Sequence, residues 1–163
     1  MPERRMLDFA SMDEIMPDVA RLLEGHSTIG QWTLAQILHH LATSIRLTSL
    51  GRAGSTPGQG SEEFRQRFFH SRRFPEGIAA HPKLIPPVDA DVHVQTKALQ
   101  EAISLFTSAA GPFPSHPVLG ALSKEEWSQL HCIHCAHHLG FAAPLRAEAG
   151  STLVSDPSRS AVD

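Results

Sequence analysis

The clearest helix signal in the sequence lies at residues 123–140, which read SKEEWSQLHCIHCAHHLG. Ser123 and Glu126 have the spacing of a capping box, in which each side chain bonds the other residue's backbone N–H at the start of a helix. We expect a helix that runs from this cap through Trp127 and Phe141 and breaks before Pro144.

The same segment carries a concentration of histidine. His134 and His138 are four residues apart, which places two imidazoles one above the other on a helix, close enough to bind one ion. His131 lies about 20° from His138 around the helix and faces the same direction. His137 lies farther round. This helix face is therefore a candidate metal site.

A second helix is predicted after Trp32, running to about Leu50. Thr33 and Gln36 form another candidate capping box at its start. One face at helical spacing is apolar and is expected to be core; it comprises Leu34, Ile37, Leu38, Leu41 and Ile45. His40 is the inward histidine of this helix, whereas its neighbour His39, about 155° from the centre of the core face, is expected to meet solvent.

The remaining helices are marked by their ends. Ser11 and Glu14 match a capping box and predict a helix that ends at Gly25. Because of Pro17, this helix is expected either to bend there or to start near Pro17 as its first residue. Asp89 or Asp91 is expected to cap a long helix that stops at Gly111-Pro112. Glycine and proline between residues 51 and 90 predict an irregular crossover that holds only a short helix at 61–70.

These elements predict an all-α fold, because no strand pattern is convincing. The four main helices form a four-helix bundle with a long crossover between helices 2 and 3. We expect a single domain over residues 1–146 and a polar, disordered C-terminal tail at 147–163.

One inward histidine on the second helix and the pair on the last helix suggest a metal site. His40, His134 and His138 would supply three imidazoles and leave a fourth coordination position open, which is the arrangement of catalytic zinc sites. Bundle cores are a usual place for such sites. His70 and His81 stay open as further ligands, because the crossover can fold over the site.

The two cysteines, Cys132 and Cys135, lie in the middle of the predicted last helix. We expect them to be small buried packing residues, because a redox pair would sit at a helix start, where the dipole lowers the thiol pKa. The alternative is a closed, structural zinc site formed by the two cysteines with His131.

The overall composition restricts the partners. The 163 residues carry 14 Lys and Arg against 17 Asp and Glu, a net charge of −3. Nucleic-acid binding is not expected, because the basic residues are dispersed and the only adjacent pairs are Arg4-Arg5 and Arg72-Arg73.

No stretch approaches the roughly 20 apolar residues of a membrane span, and the N-terminus lacks the features of a secretory signal. A cytoplasmic protein is expected.

Two segments resemble the DinB-like, or YfiT-like, superfamily of metal-dependent helical bundles. They are residues 32–41, which read WTLAQILHHL, and residues 134–140, which read HCAHHLG. The resemblance is strongest to a branch known only as a domain of unknown function. The superfamily's tryptophan eight positions before a histidine-leucine selects His40, and its H-x-x-x-H selects His134 and His138. Leu139 and Phe141 replace a basic residue and a glutamine of the family pattern.

This resemblance implies an up-down-down-up-like bundle, often a homodimer, that holds a divalent ion with three histidines. Members with assigned activity are mainly thiol-dependent S-transferases and isomerases. We therefore expect an enzyme in which His40, His134 and His138 hold zinc, or else nickel or iron, and activate a low-molecular-weight thiol or water toward a small-molecule substrate. His131 is the candidate general base. The alternative is a non-catalytic bundle that binds a metal or another ligand.

Overall fold

The computed structural model describes residues 3–51, 60–75 and 84–145. This part of the chain is mostly helical, which confirms the all-α prediction. Its elements in chain order are α1 (Ile15–Leu23), β1 (His26–Thr28), α2 (Leu34–Leu50), α3 (Glu62–Ser71), α4 (Val92–Ser108), α5 (Lys124–Leu139) and β2 (Ala142–Pro144). The tail predicted at 147–163 lies outside the described residues.

Four of the helices begin at polar caps. Thr33 opens α2 and Ser123 opens α5, each with both reciprocal bonds of a capping box, as predicted. Asp91 opens α4, where its carboxylate accepts a hydrogen bond from the backbone N–H of Val94 at 2.9 Å. Ser61 caps α3, the short helix predicted within the crossover. These local signals place the starts of α2 and α5, the two helices that carry the candidate ligands.

The start of the first helix differs from the prediction. The side chain of Ser11 makes no capping bond, and a three-residue 3₁₀ turn precedes α1. The carboxylate of Glu14 accepts a hydrogen bond from the backbone N–H of Ala10 at 2.6 Å instead, so the reciprocal bond of a capping box is not made. Pro17 falls in the first turn of α1, where its missing N–H removes no helical hydrogen bond.

Two short strands, which the sequence analysis did not predict, join distant parts of the chain. β1 and β2 pair antiparallel, with His26 opposite Pro144 and Thr28 opposite Ala142. Three residues are too few to show an alternating pattern. The prediction that the last helix continues through Phe141 is therefore wrong, since α5 ends at Leu139 and the chain turns into β2.

The helices share one hydrophobic core. α2 packs along α4, and residues of α1 and α5 complete the cluster. All five residues predicted for the core face of α2 are at most 1% exposed. Burial of this apolar surface is the main force that holds α2 in register with its neighbours, and it fixes the direction in which His40 points.

Among the helices that the structure describes, none has both the length and the apolar character required to cross a bilayer.

Candidate metal centre

Three histidines from two helices converge at one point. His40 comes from α2, and His134 and His138 come from successive turns of α5. Each offers a ring nitrogen within 4.8 Å of the others, and Nε2 of His40 lies 3.1 Å from Nε2 of His134. We call these residues the histidine trio. Within residues 3–51, 60–75 and 84–145, no further histidine, cysteine or acidic residue joins the group.

The chain fixes the ring orientation of His40. Its Nδ1 lies 2.9 Å from the backbone carbonyl oxygen of Leu84. A carbonyl only accepts hydrogen bonds, so Nδ1 carries the proton and Nε2 presents a lone pair toward His134. Histidine ligands of metals are commonly oriented in this way by a backbone carbonyl. Leu84 belongs to the crossover, which therefore takes part in building the site.

The trio is uncharged at neutral pH. Burial lowers the pKa of His40, and burial together with the neighbouring histidines lowers the pKa of His134 well below its usual value. Burial, His40, His137 and then Arg4 lower the pKa of His138 to about 3. Neutral imidazole is the form that binds metal, so these donors are in their ligating state without the loss of a proton.

Two aromatic side chains flank the trio. Trp32 stacks on His138 with ring centroids 5.7 Å apart and lies 5.0 Å from His40. Phe74 lies 5.0 Å from His134 on another side. The β1–β2 pairing holds the segment that contains Trp32 against the end of α5. Phe74 was not predicted as a site residue, because in the sequence it forms only part of an irregular Phe-Pro stretch.

His131 lies beside the trio without joining it. Its side chain is 3% exposed and packs between Trp127, at 5.7 Å, and Phe106, at 5.0 Å. Its Nε2 is buried and forms no hydrogen bond within the described part of the chain. Burial, and then the charge of His116, lowers its pKa to about 3. His131 is therefore neutral at pH 7, with hydrogen-bonding capacity left over.

An apolar cavity of about 370 Å³ adjoins the trio on the side of His134. Most of its lining is hydrocarbon, including Leu47, Leu84, Leu130, Pro114 and Trp127. His131 and His134 both reach this cavity. Trp127 is buried and lines this cavity, and its Nε1 donates a hydrogen bond to the carbonyl of Pro114 at 3.2 Å.

The other sequence candidates fall away from the trio. His39, expected to meet solvent, is half-buried and its Nδ1 lies 3.2 Å from Oε1 of Gln95. His70 is exposed on α3 and does not join the metal group. His81 lies outside the described residues.

Both cysteines are buried in the core, as predicted. Burial raises the pKa of Cys132 to about 11 and raises the pKa of Cys135 still further. The described residues form no metal-binding group of these thiols with His131, so the alternative closed zinc site is not formed.

Residues 1–145 match the family model described as a protein of unknown function, DUF1569. The chain belongs to DUF1569. This confirms the part of the sequence resemblance that indicated a domain of unknown function. No curated protein and no solved structure matches the chain. The family description assigns DUF1569 no activity, so the case for function rests on the histidine trio and its surroundings.

Proposed function

We propose that this protein is a metal-dependent enzyme in which the histidine trio, His40, His134 and His138, holds a divalent cation. Zinc is the first candidate, with nickel or iron(II) as the others. Such an ion supplies Lewis-acid chemistry that lowers the pKa of a thiol or a water molecule. The reaction class is transfer of a low-molecular-weight thiol to a small electrophile, with hydrolysis as the second choice.

The donor set supports this proposal. Four nitrogen ligands about 2.0–2.1 Å from a tetrahedral zinc ion lie roughly 3.3 Å apart, close to the 3.1 Å between Nε2 of His40 and Nε2 of His134. The contact between Nδ1 of His40 and the Leu84 carbonyl supplies the orienting hydrogen bond expected behind a ligand. The spacing of the two Nε2 atoms and the orienting hydrogen bond are both formed by residues of the chain itself.

The single observation that favours an enzyme over a structural metal site is the combination of three donors with a neighbouring cavity. A closed structural zinc site has four protein ligands, and the described residues bring only three together. The apolar cavity beside His134 offers room for the hydrocarbon part of a substrate. The crossover contributes Leu84 to this cavity, as a substrate-binding loop would.

His131 is the residue we propose for handling the proton of the nucleophile. It lines the same cavity as His134 and keeps an unused hydrogen-bonding nitrogen. Because burial lowers the pKa of His131 to about 3, its imidazole is a weak base. Its proposed contribution is therefore to accept a hydrogen bond from the thiol or water and orient it as the proton leaves.

Membership of the DinB-like superfamily belongs to the same proposal. The resemblance rests on Trp32 and the trio, and Trp32 contacts two members of that trio. The proposal further includes a DinB-like bundle, a low-molecular-weight thiol partner, a homodimer and a cytoplasmic location.

Elemental analysis of the purified protein tests metal binding. We expect about one metal ion per chain, and none in a variant that combines His40→Ala with His134→Ala. The matched control is His39→Ala, which removes the adjacent imidazole on α2 and should keep the metal. Circular dichroism of all three proteins shows whether the helices are intact. Native protein without metal, before and after reconstitution with zinc, nickel and iron(II), would contradict the proposal.

A second experiment separates an enzyme from a metal-binding protein. Metal-loaded and metal-free protein would be assayed with cysteine and chlorodinitrobenzene, in which the thiol sulfur displaces chloride, and with a nitrophenyl ester for hydrolysis. We expect metal-dependent turnover in at least one assay. Stoichiometric metal with no turnover in either assay would favour the non-catalytic alternative.

A further inference from the structure

Two arginine pairs from distant parts of the sequence meet in one cavity. Arg4 and Arg5 approach from the N-terminal segment, and Arg72 and Arg73 from the end of α3. Together they line a depression of about 400 Å³ whose inner wall includes Phe74 and His137. We call this depression the arginine cavity. In the sequence these pairs are part of a dispersed set of basic residues, and the fold brings them together.

We infer that the arginine cavity binds an oxyanion, a carboxylate or phosphate group carried by a small molecule. Guanidinium groups match the geometry of carboxylate and phosphate oxygens, and they donate two parallel hydrogen bonds to such groups. In a chain with a net charge of −3, four of the 14 basic residues converging on one concave surface make a local positive field that attracts anions.

Hydrogen bonds hold the N-terminal wall of the cavity in place. The backbone N–H of Arg5 donates to the carbonyl of Gly140 at 2.8 Å. The Arg5 guanidinium bonds both carboxylate oxygens of Asp18 and the carbonyl of Leu139. Arg4 donates to the carbonyl of His137 at 3.1 Å. These bonds tie the segment to the end of α5 and organise this wall before any ligand arrives.

The other wall is held in a backbone conformation that few residues adopt. Arg72, at the end of α3, has φ of 53°, in the left-handed region that residues other than glycine seldom adopt. Its guanidinium donates to Asp8 at 2.9 Å and to the carbonyl of Phe9 at 2.6 Å. The turn at Arg72 directs the chain so that Arg73 and Phe74 line the cavity.

Carboxylates compensate only part of the positive charge. Arg5 is paired with buried Asp18, and Arg72 is paired with Asp8, which is largely exposed. Arg73 forms no ion pair and no side-chain hydrogen bond within the described part of the chain. Its guanidinium is therefore available to an incoming anion.

The position of the cavity connects it to the histidine trio. Phe74 lines the cavity and lies 5.0 Å from the ring of His134. His137 lines it as well and lies 4.9 Å from the ring of His138. A ligand whose oxyanion binds in the arginine cavity would be separated from the trio by one layer of aromatic rings. Resting on the proposed function, we assign this anion to the substrate or the thiol cosubstrate.

Binding of two simple anions tests the inference. Sulfate stands in for a phosphate group and acetate for a carboxylate, each titrated into the full chain against chloride at constant ionic strength. Binding is followed by NMR shifts of the arginine Nε–H groups. We expect saturable shifts at the cavity with at least one anion, and the stronger of the two identifies the ligand class. Shifts equal to those with chloride would overturn the inference.

Two glutamine variants locate the site. Arg73→Gln is expected to weaken anion binding about three- to tenfold, the effect of losing one charge-assisted hydrogen bond at a partly exposed position. The matched control is Arg67→Gln, which lies on α3, pairs with Glu63 and does not line the cavity. Equal affinity in the two variants would show that the anion binds elsewhere.

Metal analysis of the same preparations separates the two proposals. Anion binding by a protein that takes up no metal would support the arginine cavity as an anion site and overturn the proposed enzyme. Metal uptake without anion binding would support the metal site and overturn the anion site.

Discussion

Replacing Asp18 with asparagine is expected to destabilise the fold by about 3 kcal/mol, because it leaves a charged arginine without its partner. Asp18 is 1% exposed, and its two oxygens accept hydrogen bonds from the two terminal nitrogens of Arg5, each at 2.8 Å. Removing one member of a buried ion pair costs roughly 3–5 kcal/mol. The side chain of Arg5 is 20% exposed, which places the expected value at the lower end.

Urea unfolding monitored by circular dichroism measures this loss. The control is Arg21→Gln, because Arg21 also bonds Asp18 but is 67% exposed, and an exposed ion pair contributes below about 1 kcal/mol. Asp18→Asn should therefore cost clearly more than the control. A loss below about 1 kcal/mol, equal to that of Arg21→Gln, would refute the view that the buried pair anchors the N-terminal segment.

Three further outcomes are expected. The pKa of His131 is lowered to about 3 in the folded protein, so the unfolded state binds more protons below pH 6.5. In the presence of a chelator, the free energy of unfolding of the native protein should therefore fall by about 1.4 kcal/mol per pH unit from pH 5.5 to 4, relative to His131→Phe. Parallel pH profiles would contradict this. Gly140→Ala should lower the free energy of unfolding in urea by about 1–3 kcal/mol, because the added Cβ would lie 2.6 Å from the carbonyl oxygen of Arg5. An unchanged urea midpoint would show that the N-terminal segment does not pack against Gly140. Cys132 and Cys135, buried with raised pKa values, should react with a disulfide reagent only after unfolding, and rapid reaction in the native protein would contradict their core position.

The histidine trio could be predicted because each part of it has a local signature. The capping boxes at Thr33 and Ser123 set the helix starts, and the apolar face of α2 set the direction of His40. The spacing of His134 and His138 then supplied the second half of the site. Each of these signals lies within a few residues of chain, where helix periodicity is a reliable guide.

The surroundings of the trio could not be predicted, because they depend on contacts between distant segments. Phe74 reaches His134 only through the fold, and the bond from His40 uses the Leu84 backbone, which has no sequence signature. The three-residue strands are too short for a pattern. At Ser11 the local motif was present, but the Glu14 carboxylate bonds Ala10 instead.

The two proposed sites should also affect each other's affinity. A divalent ion at the trio is repelled by the guanidinium groups of the arginine cavity, since Arg4 bonds His137 and the His137 ring contacts His138. An oxyanion in the cavity offsets that repulsion. A coupling on the order of 1 kcal/mol is expected for charges separated by an aromatic layer, and it must be reciprocal.

Zinc affinity measured by competition with a chromophoric chelator, with and without saturating sulfate, tests this coupling. We expect sulfate to tighten zinc binding severalfold in the native protein and in Arg67→Gln, and to have a smaller effect in Arg73→Gln. Zinc should in turn tighten sulfate binding by the same factor, because both measurements close one thermodynamic cycle. A zinc affinity that is the same with and without sulfate would show that the arginine cavity and the trio act independently. It would also argue against a single substrate that spans both.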